Sequence, residues 1–405
     1  MRRARLVIIA LLLVVLTSSV TVSAKTITLE FRDLFTGADS DVMTEMVNRF
    51  NEEHPEIRVE RESTKWENYY DQLQLAIAGG DAPDIAVVHT RWLPAFAARK
   101  ALFPLDTYIE NSGLVREDFV ERAWDGSFYE GHQYGVPLDV IVAVVLFYNR
   151  GLMTQAGITE VPQTGEELIY ASQKIREVTG KWGITVPLTG YTAFRNFFTT
   201  LHQLDASIAT EDGKKANFNN EAGKKALGYW HDFVYKYEVA PDNVAQPLEL
   251  FRLGESGFLL EGIWNNEAFK NQENLDYGVA MVPKMFNNRS FFGNSHNFVI
   301  PRQRKQDIEK VQAALVFMKW MAENADQWAQ VPAVKSVLYS DVVQNSVRGN
   351  VMEQLPDLVY PPALVDIGRV ENAVQEAVEL ALAGSVTVEQ ALQIAEDQVN
   401  SVLSR

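Results

Sequence analysis

The stretches ITLEF at residues 27–31 and IAVV at residues 85–88, with two helical patterns and a short strand between them, decide the fold. In ITLEF, Ile27, Leu29 and Phe31 share one face at a period of two, which marks a strand. Ser40 to Glu53 then carries Val42, Met46, Val47 and Phe50 at helical spacing and stops before Pro55. Ile57 and Val59 give a second strand. Trp66 to Ile77 predicts a second helix, with Tyr70, Leu73 and Ile77 in register and Gly79-Gly80 as its C-terminal cap. Pro83-Asp84 introduces the apolar strand Ile85 to Val88, and Asp84 is read as capping that turn. Two successive strand-helix-strand units imply an α/β fold with a parallel sheet covered by helices. Ligands of such sheets bind beyond the carboxyl ends of the strands. That directs attention to the loops near Phe35, Lys65 and His89.

Further along, Tyr134 to Asp139 leads into Val140 to Tyr148, nine residues without a charge. An apolar run of this kind predicts a central strand of a covered sheet. Gly135 and Pro137 just before it suit a chain passing from one domain to another. A comparable pattern recurs at Tyr277 to Pro283, at Asn287 to Ser290 and at Phe298 to Pro301. The last sixty residues read as mostly helical, with Gly384 ending one helix and Thr387 and Gln390 at capping-box spacing in the next.

The N-terminus gives an address. Arg2, Arg3 and Arg5 precede eleven apolar residues, Leu6 to Leu16, and Val22-Ser23-Ala24 makes a cleavage site before Lys25. A membrane-spanning helix needs about 20 apolar residues, so residues 1–24 are read as a secretory signal peptide. The chain has no cysteine. That excludes a disulfide framework, a thiolate nucleophile, Cys-ligated metal and a lipid-anchored cysteine. A soluble, periplasmic protein that is not a lipoprotein is expected. The formal charge is −16, or −19 once the three leader arginines are cleaved off. Binding to nucleic acid or anionic lipid relies on Lys/Arg neutralisation, so neither is an expected partner. The remaining 381 residues suffice for two domains.

Several segments together resemble the extracellular solute-binding proteins of sugar-importing ATP-binding cassette transporters, the maltose-binding-protein-like family. They are Phe50 to Ile57, Ala78 to Ile85, Tyr134 to Pro137 with Phe147 to Leu152 and Pro162 to Leu168, Phe258 to Trp264, and Gly278 to Pro283. They span most of the chain in the family's order. The resemblance implies a two-lobe periplasmic binding protein fold of type II. Each lobe would hold a mainly parallel sheet flanked by helices, and two or three crossovers would form the hinge. Residues 25–136 plus about 286–330 would form the first lobe, and 137–285 plus about 331–405 the second. It further implies a mono- or oligosaccharide held between the lobes, membrane permease subunits as partners, a monomeric receptor, and no cofactor.

A sugar offers hydroxyls that donate and accept, and C–H patches that are weakly apolar. Its site pairs aromatic faces with planar polar side chains. Strand-end position nominates Thr36, Gly37 and Asp39 after the first strand, Trp66 at the next strand-to-helix step, and His89, Arg91 and Trp92 after Val88. Asp139 sits in the first crossover. Tyr191 and Arg195 fall in a glycine-rich turn, and Trp264 with Asn265 follows an apolar strand, where the tryptophan also matches the family's sugar-stacking position. Gly293, Asn294 and His296 occupy the loop returning to the first lobe. The six histidines show no metal-ligand spacing, and no HExxH, P-loop, dinucleotide or GxSxG motif is present. No metal site and no catalytic set is therefore predicted. A polyol or polyamine ligand on the same fold, or a secreted glycoside hydrolase using two of the 53 acids, are the alternatives.

Overall fold

A computed structural model describes residues 26–37, 39–242 and 246–404. The leader expected at residues 1–24 lies outside them. Strand β1 (Ile27–Asp33) pairs in parallel with β2 (Ile57–Ser63) and with β3 (Ile85–His89). Helix α1 (Ser40–Glu53) and helix α2 (Trp66–Gly79) make the two crossovers, as the sequence pattern predicts. Gly80 ends α2 in the left-handed conformation at φ 82°, which favours a residue without Cβ. Asp84 accepts the backbone N–H of Glu30 and an ion pair from Lys310, so it ties the sheet to a later helix as well as sitting at the turn.

Two further strands complete this first sheet, in the order β2-β1-β3, His296–Val299, Gly135–Pro137. His296–Val299 runs antiparallel to both its neighbours, so Gly135–Pro137 points the same way as β1–β3. Helix Ile308–Glu323 closes the core over the sheet, with Phe317 edge-on to Phe50 at 5.0 Å and tilted against Phe31 at 5.3 Å. The second lobe is built on the sheet Tyr277–Ala280, Val145–Asn149, Ser256–Glu261, Trp182–Thr185. Only its last pairing is parallel. Each sheet is mainly parallel in strand direction, as expected, with one reversed strand: His296–Val299 in the first and Val145–Asn149 in the second. Both reversed strands are those by which the chain enters a sheet after running through the bridging strands.

The uninterrupted strand expected over Val140 to Tyr148 is corrected. Asp139–Val142 and Val145–Asn149 are separate strands in different sheets, with Ala143 and Val144 between them. Every residue from Asp139 to Phe147 is buried, so hydropathy carries no sign of the break. Asp139–Val142 lies antiparallel to Phe291–Asn294, with Ile141 opposite Asn294 and Val142 opposite Gly293. Val331–Pro332 and Leu358–Val359 flank that pair. This small sheet bridges the two lobes. The loop expected at Gly293, Asn294 and His296 is thus strand: Phe291–Asn294 and His296–Val299 are separated only by Ser295.

Candidate functional site

The C-terminal ends of β1 and β3, the start of α2, the bridging strands and two elements of the second lobe converge on a cavity of about 270 Å³. Nine of the predicted residues line it: Asp39, Trp66, His89, Arg91, Tyr191, Arg195, Trp264, Asn294 and His296. The first-lobe loop is fixed from behind. Arg61 pairs with buried Asp33 and donates to the carbonyls of Phe35 at 2.8 Å and Ser40 at 3.0 Å, which holds Phe35 and Asp39 against the cavity. Burial raises the carboxyl of Asp39 above its ordinary value, with His296 opposing.

Two imidazoles stand side by side, their centroids 4.5 Å apart. The Tyr70 hydroxyl oxygen accepts the His89 backbone N–H at 3.0 Å, so its proton points to His89 Nδ1 at 2.6 Å. Nδ1 is then the acceptor and Nε2 carries the ring proton. Burial, reinforced by His296 and Arg91, pushes the His89 pKa well below the ordinary histidine value and keeps this ring neutral. His296 has the opposite arrangement: its Nδ1 donates to Asp139 Oδ2 at 2.7 Å, leaving Nε2 free. Neither Nε2 has a hydrogen-bond partner among the described residues.

Two arginines face the same space, each matched by a glutamate. Arg91 is ion-paired with Glu371, and Glu371 also accepts the Tyr191 hydroxyl at 2.9 Å. The Arg91 guanidinium lies 4.7 Å from the Tyr191 ring centre and 5.1 Å from that of Trp66. Burial opposes its charge, but Glu371, Tyr191 and Tyr70 together outweigh that and raise its pKa. Arg195 donates to Glu261 and to the Ala143 carbonyl, both at 2.9 Å, and lies 4.9 Å from the Trp264 ring centre. Tyr191 and Arg195 do not sit in a turn, as expected, but in the first turns of helix Tyr191–Gln203. Gly190 caps this helix at φ 77°.

Six predicted residues are elsewhere. Thr36 and Gly37 are exposed at the tip of the loop, beyond the cavity wall. Trp92 turns away from the cavity, stacked on Tyr70 at 4.6 Å and packed against Gly368, where a Cβ would meet its ring at 2.4 Å. Asp139 lies wholly buried behind His296. Asn265 donates to Glu261 and to the Gly262 carbonyl, so it braces the Arg195 partner. Gly293 abuts Leu358, whose Cγ a Cβ would meet at 2.1 Å. Sequence reasoning missed Leu34, Phe35, Ile141, Ala143, Phe292 and Gln330 on the wall, and Glu371 behind it. Phe35 and Ile141 lay within segments already singled out, but Gln330 and Glu371 carry no local pattern that marks them.

With that geometry in place, comparison with known proteins decides the family. The family model for bacterial extracellular solute-binding proteins matches residues 36–328. The chain belongs to this family. A binding protein from Brucella abortus is 23% identical, with 89% of each chain covered. A galactooligosaccharide-binding protein from Bacillus subtilis is 21% identical over 87% of this chain and 84% of its own. Among solved structures, the ABC substrate-binding protein of Listeria monocytogenes in complex with cycloalternan superposes with a TM-score of 0.83 at 24% identity. It covers 93% of this chain and 99% of the other. These relatives are binding proteins, and the fold of this chain is that of a two-lobe type II periplasmic binding protein. Among the described residues, no helix of this solute-binding protein is long and apolar enough to cross a membrane.

Proposed function

We propose that this chain is the sugar-capturing subunit of an ATP-binding cassette importer. One observation carries the reading: the cavity is walled from both lobes by aromatic faces, while its two arginines are each matched by a glutamate. Trp66, Tyr191 and Trp264 offer flat apolar surfaces for C–H patches. His89 Nε2–H is free to donate, and the His296 Nε2 edge has no protein partner among the described residues, so both rings offer a polar edge to ligand hydroxyls. The named specificities of relatives, galactooligosaccharide and cycloalternan binding, support a carbohydrate.

The residues lining the cavity are the proposed ligand contacts. Residues 25–136 with about 286–330, and 137–285 with about 331–405, are the proposed lobes. The bridging sheet is the proposed hinge, supported by the two antiparallel strands that run through it. Ligand touching both lobes shifts the population toward the closed form, which permease subunits then engage. The protein binds without breaking a bond, is exported through the leader at residues 1–24, and acts as a soluble periplasmic monomer.

A thermal-shift panel of sugars, polyols and polyamines tests this reading. A ligand at 100 times its Kd stabilises by about 2.7 kcal/mol. A shift with spermidine and none with any carbohydrate would reject the sugar assignment. Product formed from a glycoside would reject the non-catalytic one.

A further inference from the structure

We infer that the cleft takes a single neutral sugar ring, and that Arg91, Glu371 and Tyr191 set this limit by closing one end of it. The inference rests on the sugar-binding reading and narrows its ligand.

Arg91 comes from the turn after β3, in the first lobe. Glu371 comes from helix Ile367–Leu382, which packs against helix Tyr191–Gln203 of the second. The Arg91 and Glu371 side chains are each 2% exposed, so the lobes meet here through a buried ion pair. Tyr191 binds Glu371 and lies against Arg91, and its ring is 6.2 Å from that of Trp66 across the gap. A ligand extended in this direction would have to separate the pair, and an uncompensated buried charge is costly. The space left is about 270 Å³, below the roughly 300–1,000 Å³ common for small-molecule sites. That is the scale of one ring rather than a chain of rings.

Charge narrows the class further. Glu371 and Glu261 already neutralise Arg91 and Arg195, and Asp39 adds a carboxyl to the wall. A sugar acid would bring a further negative group to a site with no unmatched arginine. The unpartnered polar groups of the wall include the two imidazole Nε2 atoms, the Asn294 side-chain NH₂, the Gln330 Oε1 and the Nε–H of Arg91 and Arg195, whose charges the two glutamates balance. Donors and acceptors are present together, which suits hydroxyls.

Isothermal titration with matched sets tests the inference: glucose, glucuronate and maltotriose; galactose, galacturonate and galactotriose; arabinose and arabinotriose. In the set holding the tightest ligand, the neutral monosaccharide is expected to bind at least about tenfold more tightly than its acid or trisaccharide. A trisaccharide or acid that binds as well or better overturns the inference while leaving the sugar-binding reading intact. Silence across all the sets removes both. Glu371→Gln, which leaves Arg91 unmatched, is expected to narrow the neutral-over-acid ratio by about fivefold or more. Tyr191→Ala is expected to narrow the monosaccharide-over-trisaccharide ratio similarly, and it keeps the ion pair should the first variant fail to fold. Unchanged ratios in folded variants, checked by circular dichroism, would remove these residues from the proposed role.

Discussion

Asp139 holds His296 at two points: its Oδ2 accepts the ring Nδ1–H at 2.7 Å, and its Oδ1 accepts the backbone N–H at 2.9 Å. The Trp328 indole donates to the same Oδ2 at 2.7 Å. The carboxylate is wholly buried, so its effect on ligand runs through the imidazole it orients. Asp139→Asn removes the charged acceptor and sets an amide donor against one of these donors. Hydrogen bonds to charged groups contribute about 1.5–3 kcal/mol. Sugar affinity is expected to fall by about tenfold or more, with a loss of about 2 kcal/mol in unfolding free energy. Calorimetry and urea titration read the two effects, and unaltered affinity would mean that His296 is oriented by other contacts.

Trp264 is half-buried, with one face toward the cavity and the Arg195 guanidinium 4.9 Å from its ring centre. An aromatic anchor in a desolvated site carries about 2 kcal/mol or more of binding energy. Trp264→Ala is expected to weaken sugar binding by about thirtyfold. The melting temperature of the ligand-free protein should change far less than that of Trp230→Ala, whose ring is 1% exposed in the second-lobe core. Equal losses of fold stability in the two variants would make Trp264 a core residue.

The first lobe was legible because its periodicities are local. Ile27, Leu29 and Phe31 alternate, α1 ends at Glu53 before Pro55, and α2 ends at a glycine pair. Thr387 and Gln390 form the capping box their spacing implied. Strand-end position put Trp66, His89 and Arg91 on the cavity wall because the parallel β1–β2–β3 unit aims those ends at it, and Trp264 likewise follows the end of Ser256–Glu261 in the second sheet. It failed at Trp92 for a steric reason: Thr90–Trp92 forms a tight 3₁₀ turn, so adjacent side chains diverge, and Arg91 takes the cavity side. It failed at Asp139 because sequence position does not say which of two neighbours faces the ligand and which supports it. Glu371 lies 280 residues from Arg91. A contact so remote is fixed by how the lobes pack, and no motif encodes it.

His202 gives a pH prediction. It lies on helix Tyr191–Gln203, against the Phe198 ring at 4.2 Å, with its Nε2 buried and unpartnered among the described residues. Burial lowers its pKa to about 4 from 6.5. Between those values the unfolded chain binds a proton that the folded chain does not, so this residue costs stability as pH falls from 6.5 toward 4. His202→Gln removes that titration. From pH 7 to pH 4 the wild type is expected to lose on the order of 3 kcal/mol more than the variant. Comparing the two in urea at each pH cancels contributions from raised carboxyls such as Asp33 and Asp39. Parallel pH profiles would show that the ring is protonated in the folded state.

Gly223 and Gly228 share helix Glu221–Tyr235 but differ in what surrounds them. A Cβ on Gly223 would lie 1.7 Å from the Phe218 carbonyl oxygen, a backbone atom that cannot swing aside. A Cβ on Gly228 would meet nothing within 4 Å. Glycine inside a helix costs about 1 kcal/mol relative to alanine, because its unfolded backbone has more freedom to lose. Gly228→Ala is therefore expected to stabilise by about 1 kcal/mol. At Gly223 the same gain is outweighed by the clash, so Gly223→Ala is expected to destabilise by about 2 kcal/mol or more. Urea midpoints on ligand-free protein measure both, and sugar affinity should stay unchanged, since neither glycine lines the cavity. Shifts of the same sign would mean that the turn at Phe218 yields to the added methyl, and the close approach would then no longer explain the glycine.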